Sequence, residues 1–266
     1  MPAVRHYDAS AQTYDQVFGR VSREFVPGLL RAARLAPGMR VLDVATGTGN
    51  VAEAALASIG LTGHVPAVDL SLAMLEQARE LLQGRKNVSF SVDDGQALGF
   101  PDGSFDVVLC GLALMHFPNP GRGLAEFRRV LRDGGRAAIS VPTTSDRSFT
   151  FRVLTAIGRH VPSLAAEAVQ NFSLGDSTRL RSLFEGAGFR EVETTIEARC
   201  YSFPSFDAYF APFDRGAVRA GAEYAALPKE VRRAVREDVR RELERGGERA
   251  GPIEVPVEFM FGSGCR

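Results

Sequence analysis

In Val41-Leu-Asp-Val-Ala-Thr-Gly-Thr-Gly-Asn-Val-Ala52 an apolar run (Val41, Leu42, Val44) predicts a buried strand. Gly47 and Gly49 predict a tight turn, and an alanine-rich helix is expected from Asn50. Glycine belongs where a backbone turns sharply and lets a ligand come close, here at a helix N-terminus. Asp43 stands at the strand end, just before the turn. Its charge would oppose a bound anion, so the turn suits a ligand carrying a cationic group. The segment Gly47–Ala52 also fits the G-x-G-x-x-G/A dinucleotide fingerprint, with Asp69 about 20 residues further on. Three features weigh against that reading. Asp43 precedes the glycines, some forty residues precede the strand, and a second acidic site, Asp93-Asp94, follows the third predicted strand.

Outward from this turn, strand and helix alternate. Strands are expected near 40–45, 64–68, 88–92, 105–110 and 135–141. Helices are expected near 50–59, 71–83, 120–131 and 177–187, with Ser71 as an N-cap. Such alternation implies a mostly parallel sheet with helices on both faces and right-handed crossovers. A helical period over 21–35 ends at Pro37-Gly38. After Pro142 the pattern turns helical over 145–175. A sixth strand is expected at 190–203, a helical insert at 204–251, and a last strand from Ile253 to Phe261. Phe206, Phe210 and Phe213 share a face of the insert, with Tyr209 beside them. They are read as packing the cap, with some also lining an apolar pocket. Val231, Val235, Val239 and Leu243 read as a narrow stripe on a solvated helix, with a dimer seam as the alternative.

Composition bounds the function. There are 32 basic and 32 acidic residues, so the basic face that nucleic acid usually requires is not indicated. The three cysteines, Cys110, Cys200 and Cys265, form no C-x-x-C pair, so neither a zinc site nor a disulfide framework is expected. No apolar run approaches a membrane span and the N-terminus has no signal core, which predicts a soluble cytoplasmic protein. High Arg and Ala with little Lys points to a GC-rich bacterial source.

From about Tyr14 to Phe189, the chain resembles the class I S-adenosylmethionine (SAM)-dependent methyltransferases. The turn motif carries this together with Asp93-Asp94-Gly-Gln-Ala-Leu-Gly-Phe-Pro-Asp-Gly-Ser-Phe-Asp-Val-Val108, Ala113-Leu-Met-His-Phe-Pro-Asn-Pro120 and Leu131-Arg-Asp-Gly-Gly-Arg136. These are similar to the small-molecule branch that includes the ubiquinone/menaquinone C-methyltransferases. The resemblance implies a single Rossmann-like α/β domain over 1–266 with strand order 3-2-1-4-5-7-6. Residues 1–35 would form an N-terminal helical lid, and 145–175 and 204–251 helical cap inserts. It implies SAM as cofactor, S-adenosylhomocysteine as its product, and no metal. Asp43 would meet the cofactor's ammonium, and Ala45, Thr46, Gly47 and Gly49 its methionine part. The family often has glycine at Ala45, so some crowding is expected. Asp69 would bond both ribose hydroxyls. Leu70 and Met74 would pack on the adenine, and Asp94 and Gly95 would reach its polar edge. Cys110 and Gly111 would follow the fourth strand beneath the cofactor. Asp93 stands where the family has glycine.

A methyl sulfonium needs alignment, exclusion of water and an outlet for the acceptor's proton. His116, after the fourth strand, is the candidate general base, and Tyr14 a candidate for closing the lid or orienting the acceptor. The expected reaction is methyl transfer to oxygen or carbon of a small, partly hydrophobic acceptor such as a quinone or polyketide, by a monomer or homodimer. Two alternatives stand beside it: a SAM-binding cyclase or isomerase, and a NAD-dependent oxidoreductase. The latter lacks a Tyr-x-x-x-Lys pair.

Overall fold

The computed structural model describes residues 19–216, 218–244 and 252–266. Tyr14, and the lid expected from residues before Gly19, lie outside them.

Seven strands form one sheet: β1 (Val41–Val44), β2 (Val65–Asp69), β3 (Val88–Val92), β4 (Phe105–Gly111), β5 (Leu131–Pro142), β6 (Arg190–Phe203) and β7 (Ile253–Cys265). Their order is β3-β2-β1-β4-β5-β7-β6, as the resemblance implied. The first five are parallel, and β7 runs antiparallel between β5 and β6. The central strands read as continuous apolar runs because both faces are covered. Alternation then sorts them: Val107 and Leu109 of β4 enter one core, Val108 and Cys110 the other.

The first core is covered by α1 (Val26–Ala33) and α2 (Asn50–Ile59). The second lies under α4 (Pro120–Val130) and α7 (Ser177–Gly186), with α3 (Leu72–Leu81) on the crossover between β2 and β3. Ser71 caps α3, its Oγ accepting the Met74 amide at 3.2 Å. The helical period over 21–35 does not make one helix. A short turn, Arg20–Arg23, stops before α1 begins at Val26. Pro27 is the cause: in a continuous helix it would leave the Arg23 carbonyl without a donor and press its ring against it.

The segment after β5 holds a 3₁₀ turn (Ser145–Arg147), α5 (Phe151–His160) and α6 (Pro162–Gln170). The insert between β6 and β7 holds α8 (Phe206–Asp214), α9 (Val218–Ala225) and α10 (Lys229–Glu244). Phe206, Tyr209, Phe210 and Phe213 are all buried in the first core, and the Tyr209 hydroxyl donates to the Phe149 carbonyl at 2.7 Å. These rings pack the cap. The solvated-stripe reading of α10 also changes: Val235 and Val239 are fully buried in the same core. Its arginines fold back instead, Arg236 lying 4.7 Å from the Phe210 ring centre and Arg240 4.5 Å from that of Phe206.

Candidate active site at the carboxyl ends of the strands

The turn after β1 is built on left-handed backbone. Gly47 has φ 56° and Gly49 φ 91°, and Ala45 shares that region at φ 56°. A Cβ at Gly47 would meet nothing within 4 Å, whereas one at Gly49 would press on Ala78 of α3 at 3.0 and 3.2 Å. Gly47 therefore keeps space open, and Gly49 allows α2 and α3 to approach. Ala45 pays for its methyl with strained backbone, roughly 1–2 kcal/mol in general.

Asp43 lies below the turn with no solvent exposure. Its Oδ2 accepts the Thr46 hydroxyl at 2.6 Å, while Oδ1 is buried without a hydrogen-bond partner in ordinary geometry. Burial pushes its carboxyl up to about 7, and the nearby Asp69 charge adds to this. The Thr46 hydroxyl and the Ala52 amide in the first turn of α2 pull the other way. Asp69 ends β2, half-buried; Oδ2 accepts the Gly47 amide and Oδ1 the Ser71 amide, each at 2.9 Å.

Beyond β3, Asp94 accepts the Gln96 amide at 2.9 Å. Asp93 accepts the amides of Asp94 and Gly99, both at 2.9 Å, and so organises the loop. Gly95 is packed against Phe117 and Val44, so closely that a Cβ would come within 2.6 Å of the ring. Met74 is buried beneath this edge, and Leu70 is exposed upon it.

A cleft of about 550 Å³, measured with its open mouth, lies over the glycine turn. Of the expected residues, Ala45, Thr46, Gly47 and Gly111 line it. Asp69, Leu70, Met74, Asp94 and Gly95 lie on the β2–β3 side and are not part of that lining. Cys110 is fully buried in the second core, where burial raises its thiol far above the usual range. His116 ends a 3₁₀ turn (Leu114–His116), half-buried and outside the cleft lining.

Sequence reading missed the opposite wall. Phe25, Val26 and Leu29 come from α1 and the turn before it, Leu112 from beyond β4, Ser140 from β5 and Phe259 from β7. Phe25 and Phe259 meet edge to face at 4.5 Å. An apolar residue in a strand or helix carries the same pattern whether it fills a core or borders a cleft, so periodicity could not mark these. Among the described residues no His, Cys, Asp and Glu group could hold a metal ion, and no helix is long and apolar enough to cross a membrane.

A family model for a methyltransferase domain matches residues 42–139, the span from β1 to β5. A ubiquinone/menaquinone biosynthesis C-methyltransferase of Methylobacterium nodulans is 31% identical over 205 residues, covering 71% of this chain and 80% of that one. An aklanonic acid methyltransferase of a Streptomyces species (strain C5) is 31% identical over 147 residues, covering 54% and 67%. The solved structure of the YcgJ protein from Bacillus subtilis covers 91% of this chain and 98% of its own, with a TM-score of 0.61 at 18% identity, a likeness of fold alone. With the strand order, the glycine turn and these relatives in agreement, the chain belongs to the class I SAM-dependent methyltransferases, related to the ubiquinone/menaquinone C-methyltransferases.

Proposed function

We propose that this methyltransferase acts on oxygen or carbon of a small organic acceptor with a substantial apolar surface, a quinol or a phenolic polyketide being the best-fitting class. The observation that carries the reading is the composition of the cleft. Polar groups of the turn (Thr46, Thr48, Asn50) face an apolar wall of Phe25, Val26, Leu29 and Phe259. One side suits an amino-acid headgroup and the other a flat hydrophobic ring. Relatives whose names refer to ubiquinone/menaquinone biosynthesis and to aklanonic acid lend support to this class.

The residues around the turn fit the cofactor. Oδ1 of Asp43 is a buried acceptor with no hydrogen bond of ordinary geometry, and an ammonium can supply one, directly or through water. The open space at Gly47 gives the backbone a close approach. Asp69 presents a carboxylate at the end of β2, and the two acceptor oxygens of a carboxylate match a ribose diol. Leu70 and Met74 would flank an adenine whose polar edge faces Asp94 and Gly95.

When bound, SAM supplies an electrophilic methyl group. The chain's contribution is positioning: Asp43, Thr46, Gly47 and Asp69 hold one partner, and the wall from α1 and β7 holds the other and excludes water. The described parts of the cap inserts, within 145–175 and 204–244, would complete the enclosure. His116 lies outside the cleft lining, and this reading gives it no part in proton removal.

The deciding experiment is a methyl-transfer assay with radiolabelled SAM over a panel of naphthoquinols, anthraquinone-type phenols, small hydrophilic amines and carboxylic acids. Turnover is expected for the first two groups. Turnover confined to amines or acids would refute the acceptor class.

A further inference from the structure

Ser140 stands out in the buried centre of β5. It lies between Gly111 of β4 and Phe261 of β7 in register, and it is the one hydroxyl among Ala137, Ala138, Ile139 and Val141. It is 5% exposed, and that exposure opens on the cleft. Gly111 clears the way: a Cβ there would sit 2.9 Å from Val51, 3.7 Å from Leu29 and 4.0 Å from Ser140 Oγ. The hydroxyl thus faces the space bounded by α1 and α2.

Ser140 Oγ accepts the Leu112 amide at 3.1 Å. The same amide also reaches the Ser140 carbonyl at 3.0 Å, so it does not depend on the hydroxyl. The hydroxyl proton has no acceptor among the described residues. A nearly buried O–H with its donor unused is unusual in a folded protein, and in a binding cleft it marks a place for a ligand acceptor atom.

We infer that Ser140 orients the methyl acceptor by donating its hydroxyl to an oxygen on the acceptor's ring, a ketone, enolate or phenolate. The inference rests on the acceptor class proposed above and adds its polar anchor. An apolar wall places a flat ring but leaves it free to rotate in its plane. A single donor on the cleft floor removes that freedom and selects which ring atom faces the methyl group. The other oxygen that could claim this donor is the cofactor's carboxylate, and the test separates the two.

The experiment is calorimetric and uses the full chain. α-Tetralone, a bicyclic aryl ketone, and tetralin, the same skeleton without oxygen, are titrated into the protein saturated with S-adenosylhomocysteine. S-adenosylhomocysteine is also titrated alone. A neutral hydrogen bond is worth about three- to tenfold in affinity. The wild type is expected to prefer the ketone by about that factor. Ser140→Ala should abolish the preference while leaving tetralin and S-adenosylhomocysteine affinities within about twofold, and Ser140→Thr, which keeps a hydroxyl, should restore it. Retention of the ketone preference in Ser140→Ala overturns the inference and leaves the acceptor class standing. A roughly tenfold loss of S-adenosylhomocysteine affinity assigns the hydroxyl to the cofactor and overturns it too. A wild type that binds neither ring overturns the acceptor class, and the inference with it.

Discussion

Asp69 at the end of β2 accepts the Gly47 amide at 2.9 Å, so the second strand and the glycine turn after the first are tied by one carboxylate. The same group accepts the Ser71 amide at the head of α3. A residue expected to serve the cofactor's ribose therefore also braces the turn on which the cofactor rests.

Asp69→Ala should lower S-adenosylhomocysteine affinity by about ten- to a hundredfold, the cost of losing a charged hydrogen-bond partner. It should also lower stability by about 1–2 kcal/mol, because two backbone amides lose their acceptor, which is roughly 2–8 °C in Tm for a chain of this size. Calorimetric titration and thermal melts read the two effects separately. Unchanged affinity in a folded variant would remove Asp69 from the cofactor site.

Asp43 makes stability depend on pH in the opposite sense from an ordinary ion-paired carboxylate. Its folded pKa of about 7 lies above the ordinary aspartate value of 3.8. Between these values the folded state binds more protons than the unfolded one, so stability falls as pH rises from about 4 to about 7 and is flat beyond. The whole dependence amounts to at most about 4 kcal/mol. Asp43→Asn should therefore raise Tm near pH 8, gain little near pH 4, and weaken S-adenosylhomocysteine binding at both. Binding to the wild type near pH 6 should release a proton as the ligand's ammonium draws the group into its charged form. Titration in buffers of different ionisation enthalpy reads that release, and its absence would mean the ammonium is held elsewhere.

The two turn glycines should fail differently. Gly47→Ala meets no neighbouring atom, so it should cost only the left-handed strain, roughly 1–2 kcal/mol, yet its methyl enters the cleft and should weaken cofactor binding. Gly49→Ala adds a contact with the Cα of Ala78 and should be the more destabilising of the pair. Urea midpoints rank them, and a reversed order would contradict the packing of α2 on α3.

Arg236 holds the cap through the Phe210 ring and through Asp207 at 2.9 Å and Asp214 at 2.5 Å. Arg236→Ala should speed amide exchange in Phe206–Asp214 while leaving β1 and β4 protected. Equal acceleration across the sheet would show that cap and sheet open as one unit.

His116 lies outside the cleft lining, so His116→Ala should reduce kcat by less than about tenfold, well short of the 10²–10⁴ of a general base. A hundredfold loss, with an ionisation near neutral pH removed from the rate profile and cofactor affinity intact, would establish it as the base.

Much of this molecule was legible along the chain. The run Val41–Val44, the glycines at 47 and 49, and the βα alternation are local signals, because a strand's apolar run and a helix's cap depend on residues a few positions apart. Strand order came from family resemblance, since periodicity does not say which strand lies beside which. The break before Pro27 was written in the sequence as well, and the apolar period of 21–35 masked it. The burial of Val235, Val239 and the Phe206–Phe213 rings was settled by tertiary packing: an amphipathic face shows that it wants covering and not by what. The same holds for the cleft. Phe25, Ser140 and Phe259 are far apart in the chain and meet only because β7 inserts beside β5 under α1. The elevated pKa of Asp43 likewise follows from three-dimensional burial, for desolvation depends on every atom that displaces water, and those atoms come from the whole fold.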